Sequence, residues 1–293
     1  MTTGPLSVVV IGNFDGVHLG HQAVLRQARA MADARSLRCV VLTFDPHPSE
    51  VLGRGSPPRL TTLSRRIQLL REHGAADVAV EPFTMDLASW SPERFAEQLL
   101  GTRLGTRAVV VGENFRFGNK RAGDFATLQQ LGTRLGFEAV AAEVAGDADG
   151  PFSSTRIRDA IAVGDVGIAA AVLARPHRLS GVVEHGDARG RTLGFPTANL
   201  GGVEEMLPAY GVYAVRVGAE KGVMNVGVRP TVDGHALRIE VHLLDFDGDL
   251  YGRQLDVDLV ARLRGEQKFA GLDDLRAQIA KDAKNAKNAR KAL

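Results

Sequence analysis

Apolar runs and amphipathic stretches alternate along the first 173 residues. Val8, Val9, Val10 and Ile11 form one continuous apolar run, and residues 38–44, 78–80 and 108–111 form others, each ending in polar or glycine-bearing turns. Runs this short and this apolar predict strands buried on both faces, as in parallel sheets. Between them, residues from about 21 to 34, 64–72, 92–100 and 124–135 have helical composition, and 138–143 reads as a last strand. Such alternation predicts a parallel sheet with right-handed crossovers, the Rossmann-like layering of an α/β domain. Ligands of such sheets bind beyond the carboxyl ends of the strands. Residues 12–21, the run Asp45-Pro46-His47-Pro48 and residues 112–118 all fall there, so three loops are expected to converge on one cleft.

The period changes after about Leu173. Alternating segments at 211–217, 222–228, 237–243 and 255–260 are separated by glycine turns at 232–234 and 247–248, which predicts many short strands and a barrel. Within 237–243, Leu237, Ile239, Val241 and Leu243 share one face and Arg238, Glu240 and His242 the other. From Leu272 onward the chain reads as an amphipathic helix, with Leu272, Leu275 and Ile279 as its apolar stripe. Two patterns imply two domains, 1–173 and 174–293. At 293 residues and 44% hydrophobic content the chain can fill two cores.

Composition narrows the partners. A formal net charge of +2, with a sequence pI near 8.8, supplies no overall drive toward nucleic acid and leaves acidic metabolites as partners. Lys281, Lys284, Lys287 and Arg290 form a basic stripe that is either an anion contact or a solvated helix face. Cys39 is the single cysteine. It excludes an intrachain disulfide and, within an apolar run, reads as a buried thiol in a reducing compartment. The first residues carry no basic leader and no apolar stretch approaches about 18 residues, so a soluble cytoplasmic protein without membrane partners is expected. Nothing in the pattern sets an oligomeric state.

Candidate chemistry concentrates in the loops. In the run Gly12-Asn13-Phe14-Asp15-Gly16-Val17-His18-Leu19-Gly20-His21, Gly12 and Gly16 permit positive φ, and the turn delivers helix-start N–H groups suited to phosphate. His18 and His21, either side of Gly20, can direct both imidazoles at phosphoryl oxygens. Two unrelated polar loop residues are the alternative. Ser153-Ser154-Thr155-Arg156-Ile157-Arg158 places hydroxyls and guanidinium groups at a helix start, favouring an anion, or simply caps a helix. Asn114, Phe115 and Phe117 offer apolar planes and an amide to a planar ring, although two phenylalanines at that spacing also suit a core. Gly190 and Gly194 make a flexible anion-binding loop, and Thr197 and Asn199 supply hard oxygen ligands suited to Mg²⁺; a glycine-rich hairpin is the alternative. His47, between two prolines, is either a nucleotide contact or a structural turn.

Residues 12–22 resemble the nucleotidyltransferase superfamily with the HxGH motif, and closely resemble the bacterial bifunctional riboflavin kinase/FMN adenylyltransferases, or FAD synthetases. Arg189-Gly190-Arg191-Thr192-Leu193-Gly194-Phe195-Pro196-Thr197-Ala198-Asn199-Leu200 is similar to the riboflavin kinase motif, so two motifs in the family's order cover nearly the whole chain. The resemblance implies a Rossmann-like adenylyltransferase domain followed by a six-stranded barrel-like kinase domain with a C-terminal helix. It implies phosphorylation of riboflavin to FMN in the second domain and adenylylation of FMN to FAD, with release of pyrophosphate, in the first. Riboflavin, FMN, FAD and ATP are then the partners and Mg²⁺ the cofactor. His18 and His21 become the catalytic donors. Gly12, Asn13, Phe14, Asp15, Gly16 and Gly20, with Ser153, Ser154, Thr155 and Arg158, hold ATP, and Gly190 and Gly194 do so in the kinase. Asn114, Phe115 and Phe117 take the flavin, Thr197 and Asn199 the metal.

Glu240 resembles the family's catalytic glutamate, accepting the proton of the ribityl hydroxyl; an exposed strand glutamate paired with Arg238 or His242 is its rival. Members often carry a basic residue where Pro151-Phe152 stand here, which puts that phosphate contact in doubt. The start almost at the first strand and the short 201–209 connection imply trimmed flavin-side loops. Two other functions compete: an adenylyltransferase with another acceptor and a silent second domain, and a flavin-dependent regulatory or nucleic-acid-binding protein. Residues 194–199 with Glu240 argue against the first, and the near-zero net charge against the second.

Overall fold

A computed structural model of the chain describes residues 6–185, 197–231 and 234–289. Gly190, Gly194, the turn residues Val232 and Asp233, and Arg290 lie outside the described residues. The chain divides into two compact units, Met1–Pro57 with Leu63–Phe152 and Pro58–Thr62 with Ser153–Leu293.

The first unit runs β1 (Ser7–Ile11), α1 (Leu19–Ala34), β2 (Arg38–Asp45), α2 (Pro48–Val51), α3 (Leu63–Glu72), β3 (Asp77–Pro82), α4 (Met85–Ser89), α5 (Pro92–Arg94), β4 (Thr106–Val111), α6 (Phe125–Leu135) and β5 (Glu138–Ala141). The helix expected over 92–100 begins as α5 and continues with wider π-type winding through Phe95–Arg103. The five strands pair in parallel in the order β3-β2-β1-β4-β5, the predicted Rossmann-like sheet. Chain order reverses direction between β1 and β4, which opens the ligand crevice at their carboxyl ends. Both faces of central β1 are buried. Val8 and Val10 pack with Leu25, Ala28, Leu69 and Leu70, whereas Val9 and Ile11 pack with Leu99, Leu100 and Leu128. Cys39 is 1% exposed, and burial pushes its thiol up to about 11, as befits an inert core residue. A small hairpin, β6 (Gly146–Asp147) with β7 (Gly150–Pro151), follows.

In the second unit, α7 (Ser154–Val163) and α8 (Val166–Leu173) precede β8 (Arg178–Glu184), β9 (Ala198–Gly201), β10 (Gly211–Val217), β11 (Glu220–Thr231), β12 (Gly234–Leu243) and β13 (Gln254–Arg264). These six strands close into an antiparallel barrel, β10-β11-β12-β9-β8-β13, with β13 returning to β10. Closure gives each of the six strands a paired neighbour on both sides. Leu179, Tyr213, Met224, Val241 and Leu259 fill its interior. On β12, Ile239, Val241 and Leu243 face inward as expected, but Leu237 is 50% exposed. Its partner on β11 is Val228, and among the described residues β9 pairs with β12 only at Glu240 and Val241.

The helix pair belongs with the barrel. Val166 joins the barrel core, and Arg262 donates to the Val163 carbonyl (2.9 Å) and to the Tyr210 carbonyl (3.1 Å). Between the helices Gly164 takes φ +81°, and a Cβ there would lie 2.8 Å from the Tyr213 hydroxyl. The last helix, α9 (Leu272–Asn288), docks differently from the expected Leu272, Leu275 and Ile279 stripe. Leu272 is 65% exposed, while Asp282 and Ala286 are buried, because the helix rests on the barrel through Ala286 and Ala283 against Ala214, Leu244 and Val260. Asp282 accepts from Arg264 Nε (3.0 Å) and Gln278 Nε2 (2.8 Å). Of the basic stripe, Lys287 pairs with Asp245 at 2.6 Å, and Lys281 and Lys284 are exposed. No helix among the described residues is long and apolar enough to cross a membrane.

Candidate active sites

β1 empties into the turn at 12–18. Gly16 takes φ +83° as expected, but Gly12 stays out of the left-handed region. Its missing Cβ instead leaves room for the Phe14 ring, which would lie 3.1 Å away. The left-handed positions fall on Phe14 (φ 51°) and Val17 (φ 41°), residues for which this conformation is strained. Burial holds them, for Phe14 is 3% and Val17 0% exposed. Phe14 thus stands in the core behind the turn, and Asp15 is itself buried.

Helix α1 begins two residues earlier than the composition predicts. His18 is its N-cap, and its Nδ1 accepts the His21 N–H at 3.3 Å. N-cap and N3 positions sit above one another, so the two imidazoles stack, with centroids 3.6 Å apart and planes at 23°. The edge of Phe14 supports His21 from the side, at 5.1 Å. An imidazole that accepts at Nδ1 carries its proton on Nε2, so His18 offers an Nε2–H donor at a helix N-terminus, where backbone dipoles already favour an anion. Gly20 makes this possible: a Cβ there would lie 3.0 Å from both the His18 ring and the Phe152 carbonyl oxygen.

The neighbouring loops tie into the turn. His47 caps α2 by accepting the Ser49 N–H at Nδ1 (3.2 Å), and its Nε2 lies 2.9 Å from the Asn13 side-chain amide. The Asn13 carbonyl accepts from Thr43 Oγ1 (3.2 Å) and from Arg66 Nη1 (3.0 Å), while Arg66 Nη2 reaches Asp45 Oδ1 at 3.4 Å. Neither Arg66 nor Thr43 stands out in the motifs. The available signal is that Arg66 shares the buried face of α3 with Leu69 and Leu70, a place where an unpaired cation is costly. In the 112–118 loop, Asn114 is exposed, Phe115 half-buried and Phe117 buried. The two rings lie parallel at 5.4 Å, and Phe95 backs Phe117 at 5.5 Å. Phe117 is thus part of the core, leaving Asn114 and Phe115 accessible.

In the second unit Ser153 caps α7 by accepting the Arg156 N–H (3.2 Å), and Arg158 Nε donates to the Pro58 carbonyl (2.8 Å). Around the barrel, pairing register creates a row that the local sequence does not display. Asn199 on β9 lies opposite Glu184 on β8 and opposite Glu240 on β12, and Glu240 lies opposite Asn225 on β11. Directly paired residues share a face. Because Ala198 and Val241 point into the barrel core, this row lies on the outer face, with Thr197 two residues before Asn199. Arg238 sits 3.6 Å from Glu240, so the expected rival pairing of this glutamate is present as well.

A Rossmann-like sheet ending in a histidine-capped helix start, joined on one chain to a closed barrel with an Asn–Glu row, defines a transferase of two units, one of them of the HxGH nucleotidyltransferase type. The family descriptions "FAD synthetase" and "Riboflavin kinase" match residues 3–156 and 173–290 respectively. The chain belongs to the bifunctional riboflavin kinase/FMN adenylyltransferase family. The protein of that name from Escherichia coli (strain K12) is 42% identical over 281 residues, covering 94% of this chain and 90% of the relative. Its namesake from Bacillus subtilis (strain 168) is 39% identical over 287 residues, with the same coverage. A crystal structure titled as a macrolide-efflux protein from Streptococcus pneumoniae superimposes with a TM-score of 0.89 at 31% identity, covering 99% of this chain and 96% of that one.

Proposed function

We propose that this chain makes both flavin cofactors, with the two chemistries divided between its two halves. Riboflavin and ATP give FMN at the barrel, within residues 174–293; FMN and ATP give FAD and pyrophosphate at the carboxyl ends of the parallel sheet, within residues 1–173. The observation that carries this division is the presence, on one chain, of the His18–His21 stack at a helix start and the Asn199–Glu240 register on a closed barrel.

In adenylyl transfer the FMN phosphate attacks the α-phosphate of ATP, and charge grows on the phosphoryl oxygens. His18 Nε2–H, His21 and the first N–H groups of α1 are preorganised donors for that charge, which is where electrostatic stabilisation acts most strongly. Gly12, Asn13, Asp15, Gly16 and Gly20 shape the turn, Phe14 buttresses it, and Ser153, Ser154, Thr155 and Arg158 offer a further anion-binding helix start. Asn114 and Phe115, backed by Phe117, read and cover the isoalloxazine ring.

In the kinase reaction Glu240 accepts the proton of the ribityl hydroxyl as that oxygen attacks the γ-phosphate. Thr197 and Asn199 form a hard-oxygen pair that fits Mg²⁺. Among the described residues no three His, Cys, Asp or Glu side chains gather into a metal cluster. Bound by that pair, the ion would neutralise and orient the ATP phosphates. Gly190 and Gly194, the further phosphate candidates of the motif, lie outside the described residues. The buried single thiol fits a cytoplasmic location.

The decisive experiment crosses two variants with two assays. His21→Ala is expected to lower FAD formation from FMN by roughly a hundredfold or more and to leave riboflavin phosphorylation intact. Glu240→Gln is expected to lower phosphorylation by about 10²–10⁴ and to make FAD from supplied FMN at the normal rate. A His21→Ala protein with normal FAD formation, or a folded Glu240→Gln protein with normal phosphorylation, removes that residue from its role.

A further inference from the structure

Arg66 spans two of the loops at the mouth of the sheet. Its side chain is only 8% exposed, and from α3 it reaches the carbonyl of Asn13, at the end of β1, and the carboxylate of Asp45, at the end of β2. The Asn13 carbonyl thereby has two donors, since Thr43 also reaches it. For stability alone this is an inefficient arrangement. A buried cation facing one carboxylate at 3.4 Å gains little over an apolar residue of the same volume. What the guanidinium provides is geometry: a rigid planar fork can hold a carbonyl and a carboxylate from different strands at fixed separation.

The next residue shows why that matters. Phe14 and Val17 hold left-handed backbone conformations, and such strain survives only where the surroundings over-determine it. Arg66 clamps the carbonyl immediately before Phe14. On the side-chain end of Asn13, Nδ2 lies 2.9 Å from His47 Nε2, and His47 is itself held in place by accepting the Ser49 N–H at Nδ1 (3.2 Å). Main chain and side chain of one residue are thus fixed independently, three residues after the last core valine and five before the N-capping histidine.

We propose that Arg66 is a positioning residue for adenylyl transfer: its fork sets the turn at 12–18, and with it the His18–His21 stack, against the loop that follows β2. This rests on the reading of that turn as the nucleotide site. Arg66 acts through Asn13 and Asp45 and need not touch substrate.

The test measures kcat and KM for FMN adenylylation by the full chain, with a calorimetric melt of the same sample reporting that the α/β unit is folded and riboflavin phosphorylation reporting the barrel. Arg66→Lys keeps the charge but cannot fork, and is expected to lower kcat at least tenfold while KM for FMN stays within threefold and phosphorylation is unchanged. Arg66→Met is expected to behave likewise. His21→Ala, run in parallel, separates the two ideas. If His21→Ala is impaired and Arg66→Lys is normal, Arg66 is a packing residue and the inference fails. If both are normal, the nucleotide-site reading has failed and takes the inference with it. A parallel loss of both activities in Arg66→Met marks unfolding and leaves Arg66→Lys to decide; the same parallel loss in Arg66→Lys overturns the positioning role in favour of a structural one.

Discussion

Gly20 shows how a single missing methyl group separates stability from activity. It lies in the first turn of α1, where alanine ordinarily stabilises a helix by roughly 1 kcal/mol over glycine. Here an added Cβ would meet the His18 ring and the Phe152 carbonyl oxygen at 3.0 Å, and the backbone oxygen cannot swing aside as a side chain can. The helix gain and the backbone clash oppose one another, so Gly20→Ala is expected to change the melting temperature little while FAD formation falls about tenfold or more and riboflavin phosphorylation continues. A thermal melt alongside the two assays checks it, and a variant with full FAD formation would mean that the His18 ring has room to move. The histidine pair is legible in the sequence because an N-cap and its N3 residue are neighbours along the chain. Arg66 is not, since it meets Asn13 across 53 residues and no local spacing announces that contact.

The elements whose neighbours are local follow the hydrophobic pattern, and those that depend on tertiary docking do not. All five strands of the first sheet and the barrel strands at 211–217 and 237–243 follow from their own periodicity. For α9 the pattern points to Leu272, Leu275 and Ile279, yet its buried side is Asp282 with Ala286, because the barrel offers a flat alanine-lined seat and the cation of Arg264. A buried charge used as a docking pin is invisible to a rule that seeks apolar stripes. Asp282 is 3% exposed and receives both Arg264 and Gln278. Replacing it by alanine leaves the guanidinium without its carboxylate, a loss of roughly 3–5 kcal/mol for buried pairs. Asp282→Ala is thus expected to release α9, read as early protease cleavage near 272–288 and a lowered unfolding temperature, and wild-type protease resistance would show that the alanine seat alone holds the helix.

At the scale of the whole chain, the change in period near Leu173 marks where the β-rich pattern starts, but compactness draws its line elsewhere. Helices α7 and α8 pack with the barrel: Val166 enters its core, Arg262 holds the end of α7, and Gly164 lies under Tyr213. Helical residues look alike whichever neighbour they serve, so periodicity alone cannot assign them. A fragment of residues 153–293 is expected to melt higher than one of residues 174–293, by roughly 5 °C or more. Calorimetry of the two fragments decides it, with equal melting temperatures showing the helix pair to be a passenger. The barrel carries one more consequence, in how the gene can change length. Side chains alternate along a strand with period two, and the ring of strands has no loose edge where a shifted strand can relax. One codon inserted within β9 would therefore exchange the inward Ala198 for the outward Asn199 and bury the amide, while two codons would restore the alternation. Tolerated insertions in this part of the family should come in even numbers inside the strand and in any number within its loops.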